Sequence, residues 1–187
     1  MRIVKFNYRE VIDQVLQEMN FDRAVCLDAT CGNGHDSLNI IKRLDKNGFL
    51  YCTDIQDLAI ENTDDLLKEA GYKNYKIIKK SHDLFADEIE ESFRLVIFNL
   101  GYLPGSDKEI VTRAETTIKA IDSLIKKLDK DGVIIVVSYL GHPNSKEERE
   151  SLDKYLKNLS QKDFLVEKRQ FYNQVNNPPI VYLIGVR

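Results

Sequence analysis

The strongest constraint on how this chain folds is a repeated pairing. A short apolar run stops at a polar or acidic residue, and an amphipathic stretch follows. Runs of four to six aliphatic residues match buried strands. Stretches with apolar residues three and four apart match helices with one buried face. The first run covers residues 24–27 and ends at Asp28, and the second covers 49–53 and ends at Asp54. The third spans 75–80, the fourth 95–98 ending at Asn99, and the fifth 133–137, entered through Asp131-Gly132.

Helical spacing predicts an opening helix on Val11, Ile12, Val15, Leu16 and Met19. Further helices are predicted over 35–44, over 58–70 with Gly71 as the cap, and over 110–128 on Ile118, Ile121, Leu124, Ile125 and Leu128. Ser145-Lys-Glu-Glu148, after Pro143, reads as a capping box that opens a helix to about residue 159. The last two runs, 164–170 and 180–186, are separated only by a segment ending Asn176-Asn-Pro-Pro179. Lacking a helix between them, they should pair as an antiparallel hairpin at one edge. The expected fold is therefore α/β: a doubly wound, mostly parallel, seven-stranded sheet with a C-terminal antiparallel hairpin. A chain of 187 residues suits a single domain, 1–187.

Composition narrows the setting. With 43% hydrophobic and 30% charged residues the chain reads as globular. The first ten residues carry charges where a signal peptide needs an apolar stretch, and no run is long enough to span a bilayer. A cytoplasmic protein without a membrane is expected. Cys26, Cys31 and Cys52 form no C-x-x-C pair, so neither a disulfide framework nor a metal site is expected. Cys26 and Cys52 read as buried hydrophobes, whereas Cys31 falls inside a glycine loop. The net charge of −3 opposes a broad nucleic-acid-coating surface. The clusters Lys76, Lys79, Lys80 and Lys126, Lys127, Lys130 read as solvated faces.

In an open α/β sheet, ligands bind beyond the carboxyl ends of the strands. Asp28 marks that end of the first strand, and Gly32-Asn-Gly34 follows before a helix. The glycines let backbone approach a ligand, and the helix start offers free N–H groups. Asp54 stands 20 residues past Gly34, where a carboxylate can accept from ribose hydroxyls. A nicotinamide site would use G-x-G-x-x-G, but Ser37 replaces the third glycine. Asp28 and Asp36 would also repel a pyrophosphate, while attracting the ammonium and sulfonium of S-adenosylmethionine.

The fourth strand ends in Asn99-Leu-Gly-Tyr102-Leu-Pro104. Asn99 and Tyr102 keep the polar-to-aromatic spacing of the Asp/Asn-Pro-Pro-Tyr/Phe motif of amine methyltransferases, although its two prolines are absent. There an amide oxygen accepts hydrogens from the target amine and the ring stacks on the base. Methyl transfer to a neutral amine needs mainly positioning, so a strong base is not required. His35, His82 and His142 are candidate proton relays, each with structural or cofactor-contact roles as the simpler reading.

The segments around Asp28–Asp36, Thr53-Asp-Ile-Gln56, Ser81-His82, Asn99–Gly105 and Gly141-His142 resemble the bacterial family labelled rRNA methylases, class I S-adenosylmethionine-dependent methyltransferases. Five βα units with a terminal hairpin match that class. Members are associated with methylation of 5-aminomethyl-2-thiouridine in tRNA. The resemblance implies S-adenosylmethionine contacts by Asn33, Asp36, Asp54, Gln56, Ser81 and His82, with Asn99 and Tyr102 facing the target base. It also implies a tRNA partner held near its anticodon. Independently of the resemblance, the small size of the domain suggests a homodimer that would extend its surface. Cys31 stands where the family carries a small residue, and Leu140 where proline is frequent. The alternatives are an rRNA or small-molecule N-methyltransferase and, in another class, a nicotinamide oxidoreductase or a non-catalytic nucleotide-binding module.

Overall fold

The computed structural model describes residues 3–5, 7–101, 103, 112–140 and 145–187. Helix α1 (Tyr8–Glu18) opens the chain, with Asn7 Oδ1 accepting from the Glu10 N–H at 3.1 Å. Then come β1 (Val25–Asp28), α2 (His35–Ile41), β2 (Phe49–Asp54), α3 (Asp57–Glu69), β3 (Tyr75–Lys79) and α4 (His82–Glu88). The second half holds β4 (Phe93–Asn99), α5 (Ala114–Leu124), a 3-10 turn, β5 (Leu128–Ser138), α6 (Ser145–Lys157), β6 (Phe164–Arg169) and β7 (Ile180–Val186).

The seven strands form one sheet in the order β3-β2-β1-β4-β5-β7-β6. β1 to β5 pair in parallel, and β7 and β6 join antiparallel, so the expected fold class is what the chain adopts. The sheet has helices on both faces, which is why its central strands read as continuous apolar runs. Cys26, Leu95, Ile97, Ile135 and Val137 point to the face carrying Ile12, Leu16, Ile40 and Leu67. Leu27, Val96, Phe98, Ile134 and Val136 point to the other, against Phe85, Ile121, Leu124 and Leu152. All three cysteines are free and buried.

Several elements differ from the sequence reading. Helix α4 was not expected, because seven residues give too few turns for a periodic signal. The helix expected over 110–128 is helical from Ala114 to Leu124, and its first residues lie outside the described ones. β5 begins at Leu128, five residues early, and passes through Asp131-Gly132 with a register shift against β4. Ser145 is the first helical residue of α6 and not a cap ahead of it. At α3 the expected stop holds: Gly71 at φ +82° lets its own N–H and that of Tyr72 bond back to Lys68 and Leu67.

The chain runs outward from β1 to β2 and β3, then returns to β4 on β1's other side. The carboxyl ends of β1 and β4 thus flank the crevice where the two halves part. Asp28, Asp54 and Asn99 terminate β1, β2 and β4 at that end.

Candidate functional site

The loop after β1 is held from three sides. The Cys31 N–H donates to the Thr53 carbonyl at 3.0 Å, and the Gly34 N–H closes back on the Cys31 carbonyl at 2.7 Å. Thr63 Oγ1 of α3 donates to the Gly32 carbonyl at 3.1 Å, and Asn62 Nδ2 donates to Asn33 Oδ1 at 2.8 Å. Gly34 at φ +76° caps α2 in the left-handed region, and a Cβ there would come 3.0 Å from Thr63 Cα. Glycine is therefore required both for backbone shape and for packing on α3.

The three acids of the site have distinct surroundings. Asp28 is fully buried; Ser37 Oγ donates to its Oδ2 at 2.6 Å and the Thr30 N–H to its Oδ1 at 3.2 Å. Burial and the neighbouring Asp36 push its pKa up to about 7. It supports the loop from beneath, with both oxygens engaged by protein. Asp54 is partly exposed; its Oδ2 accepts from the Gly32 N–H at 3.1 Å, and its Oδ1 from Ile55 and Gln56 N–H at 2.8 and 3.1 Å. The carboxylate thereby ties the glycine loop to the start of α3, whose N-cap is Gln56. Asp36, in the first turn of α2, accepts from Asn99 Nδ2 at 2.8 Å, and burial raises its pKa.

Ser81 caps α4 and donates to Asp83 Oδ1, while Asp83 is bridged by Lys119. His82 is buried, edge-on to Phe98 at 5.5 Å. Burial pulls its pKa down to about 4, so the ring is neutral and too weak a base for the relay considered from the sequence. Its Nε2 is buried with no hydrogen-bond partner among the described residues. A neutral nitrogen left this way beside the strand ends is an acceptor awaiting a donor.

Asn99 is held by its main chain, the N–H donating to Thr30 Oγ1 at 2.7 Å. Tyr102 and His142 lie outside the described residues. The sequence reading missed a second wall. Tyr139, just past β5, meets Tyr8 of α1 edge-to-face at 5.5 Å, and Arg9 Nε donates to the Tyr8 hydroxyl at 3.1 Å. Tyr139 Cδ2 comes within 4.0 Å of where a Cβ on Gly101 would sit, which puts this ring beside the Asn99 segment. The usable signal was positional, since Tyr139 follows the fifth strand much as Asn99 ends the fourth. No three or more His, Cys, Asp or Glu side chains cluster as a metal site among the described residues.

A sheet in this order, a glycine loop after β1 and an acid ending β2 define a Rossmann-like methyltransferase fold. The chain belongs to the family described as "Putative rRNA methylase", whose model matches residues 50–185. Its relatives include a chloroplastic tRNA (mnm5s2U34)-methyltransferase of Arabidopsis thaliana, 35% identical over 184 residues, 92% of this chain and 66% of that protein. Ribosomal RNA small subunit methyltransferase H of Spiroplasma kunkelii is 28% identical over 104 residues, 52% of this chain and 33% of that protein. The chain thus spans somewhat under two thirds of the first of these relatives and a third of the second. Among solved structures, an rRNA methylase of Clostridium thermocellum aligns with a TM-score of 0.94 at 35% identity, covering 100% of both chains. A Streptococcus mutans methyltransferase in complex with SAH aligns at 0.89 and 29% identity, covering 99% of this chain and 100% of that one. The chain is thus of the rRNA/tRNA-methylase type by family and fold, and one of its structural neighbours is in complex with SAH.

Proposed function

We propose that this protein transfers a methyl group from S-adenosylmethionine to the 5-aminomethyl group of a wobble 2-thiouridine in tRNA, giving the methylaminomethyl form. The observation that carries this reading is Asn99, a polar residue at the end of β4 whose Oδ1 has no hydrogen-bond partner among the described residues. An acceptor oxygen there suits an N–H donor such as an amine. The Arabidopsis relative supports the choice of amine.

The residues fit the cofactor. Asp54 has lone pairs left for ribose hydroxyls, Asp36 Oδ1 is free of hydrogen bonds among the described residues, and His82 Nε2 offers a buried acceptor. Gly32, at φ +52°, has only Leu103 Cδ1 and the Thr30 carbonyl, among the described residues, within 4 Å of where a Cβ would sit, which leaves its backbone open to close approach. Asn33, Gln56 and Ser81 border the same end of the sheet. When bound, S-adenosylmethionine would supply an activated methyl, the amine nitrogen bonding to its carbon as the C–S bond breaks and the electron pair stays on sulfur. Asn99 holds one amine hydrogen so that the nitrogen lone pair faces the methyl carbon. The secondary ammonium then loses its proton to water, since His82 stays neutral and buried.

We place the reaction in the cytoplasm; the Arabidopsis relative is chloroplastic. The test is transfer of labelled methyl to tRNA carrying the unmethylated aminomethyl group, with rRNA and small amines alongside. Label in that tRNA, released as methylaminomethyl-2-thiouridine on digestion, supports the proposal. Label in rRNA alone would favour the reading carried by the family description and the Spiroplasma relative.

A further inference from the structure

We propose that Asp36 is a positioning residue that sets which way round the Asn99 side-chain amide faces, making its carbonyl oxygen the acceptor for the substrate amine. This rests on the reading above, in which Asn99 faces that amine. An asparagine side chain has a donor end and an acceptor end of nearly the same shape, and its neighbours decide the flip. Turned the wrong way, the NH₂ group would point its hydrogens at those of the amine and push the lone pair off line.

In this protein Asn99 Nδ2 donates to Asp36 Oδ2 at 2.8 Å. An ionised carboxylate only accepts, so it holds the NH₂ end and rejects the carbonyl. The main chain is fixed separately. Asn99 N–H is bound to Thr30 Oγ1, and Asn99 pairs with Val137 in the β4–β5 register. The side chain is what remains to be set, and Asp36 is its hydrogen-bonding neighbour among the described residues. Asp36 is itself held in place: it occupies the first turn of α2, and the next residue, Ser37, is anchored to buried Asp28. Adjacent residues of one helical turn thus grip the cofactor loop and orient the acceptor group. Asp36 Oδ1 stays available to the cofactor ammonium, which would join cofactor binding to acceptor geometry.

The test compares variants at saturating S-adenosylmethionine, each checked for folding by a thermal melt. Asp36→Ala should lower kcat by about 10- to 100-fold, as expected when a reacting group is misplaced. Asp36→Asn keeps an acceptor oxygen at the same place and should recover most of that loss. In an Asn99→Ala background, Asp36→Ala should cost less than about two-fold more. An equal loss in both backgrounds, or no recovery in Asp36→Asn, overturns the proposal. A second readout needs no acceptor at all. In protein labelled with ¹⁵N-asparagine, the Asn99 side-chain NH₂ resonance, identified by its loss in Asn99→Ala, should move in Asp36→Ala. An unmoved resonance also overturns it. If the wild type fails to methylate the tRNA, the wobble-uridine reading falls, while the resonance still decides the role of Asp36.

Discussion

A carboxyl group with no exposed surface must be hydrogen-bonded or neutralised, and Asp28 takes both routes. Its pKa near 7 lies above that of an unfolded aspartate near 4, so the folded state binds this proton more tightly. Its contribution to stability is full below about pH 4 and is lost as pH rises through about 7. Asp28→Asn, which stays neutral, should therefore melt higher than wild type at pH 8.5 and lose that advantage at pH 5. Melting curves at both pH values check this, and an advantage independent of pH would reject the assignment. On the proposed function, Asp54 and Asn99 divide binding from turnover. Asp54→Ala removes the Gly32 tether and the proposed ribose acceptor, and should weaken cofactor affinity by about ten-fold in calorimetry. Asn99→Ala should lower turnover and leave cofactor affinity nearly intact. These acids and this amide were legible as the polar residues ending apolar runs. Their partners were not, because Asn99 and Asp36 are 63 positions apart and meet only once β4 lies beside β1.

Among the elements, long periodic helices and central strands were legible, and the failures share a cause. α4 buries Phe85 and Ala86 in seven residues, less than a period-based reading needs. At β5, Asp131-Gly132 has the composition of a turn, yet it is a kink within a strand. Phe93 pairs with Leu128, but Leu95 pairs with Val133, so β5 carries extra residues opposite this part of β4. Gly132 permits the excursion, because a Cβ there would sit 2.6 Å from the Phe93 carbonyl and 3.0 Å from Asp129 backbone atoms. None of those atoms can swing aside as a flexible side chain would. Gly132→Ala should destabilise the fold by about 2–4 kcal/mol, read as a fall in the denaturation midpoint with an unchanged slope. Gly71→Ala is the matched control: no atom of the described residues lies within 4 Å of where its Cβ would sit, so the backbone strain at φ +82° is what is felt. Its cost should be about 1 kcal/mol. Equal costs would mean that the kink relaxes without opposition from β4.

At the scale of the whole molecule, the question is how a chain of net charge −3 would bind the polyanion proposed as its substrate. Its lysine clusters are largely committed to the protein itself. Lys79 pairs with Asp57, Lys80 with Glu88 and Lys126 with Asp122, while Lys127 donates to the Ala86 and Ile89 carbonyls. Such exposed pairs add little stability, but they cancel the field that would draw phosphates from a distance. If tRNA is the substrate, recognition therefore falls to few phosphate contacts and to the base itself, seated near Asn99 between the cofactor loop and Tyr139. Each phosphate neutralised releases counterions, so the slope of log affinity against log salt counts them. With few contacts that slope should be shallow, about −2 to −3 between 50 and 200 mM salt. Fluorescence anisotropy with a labelled anticodon stem-loop measures it. A slope steeper than about −6 would require many more phosphate contacts and would overturn the reading of recognition through the base.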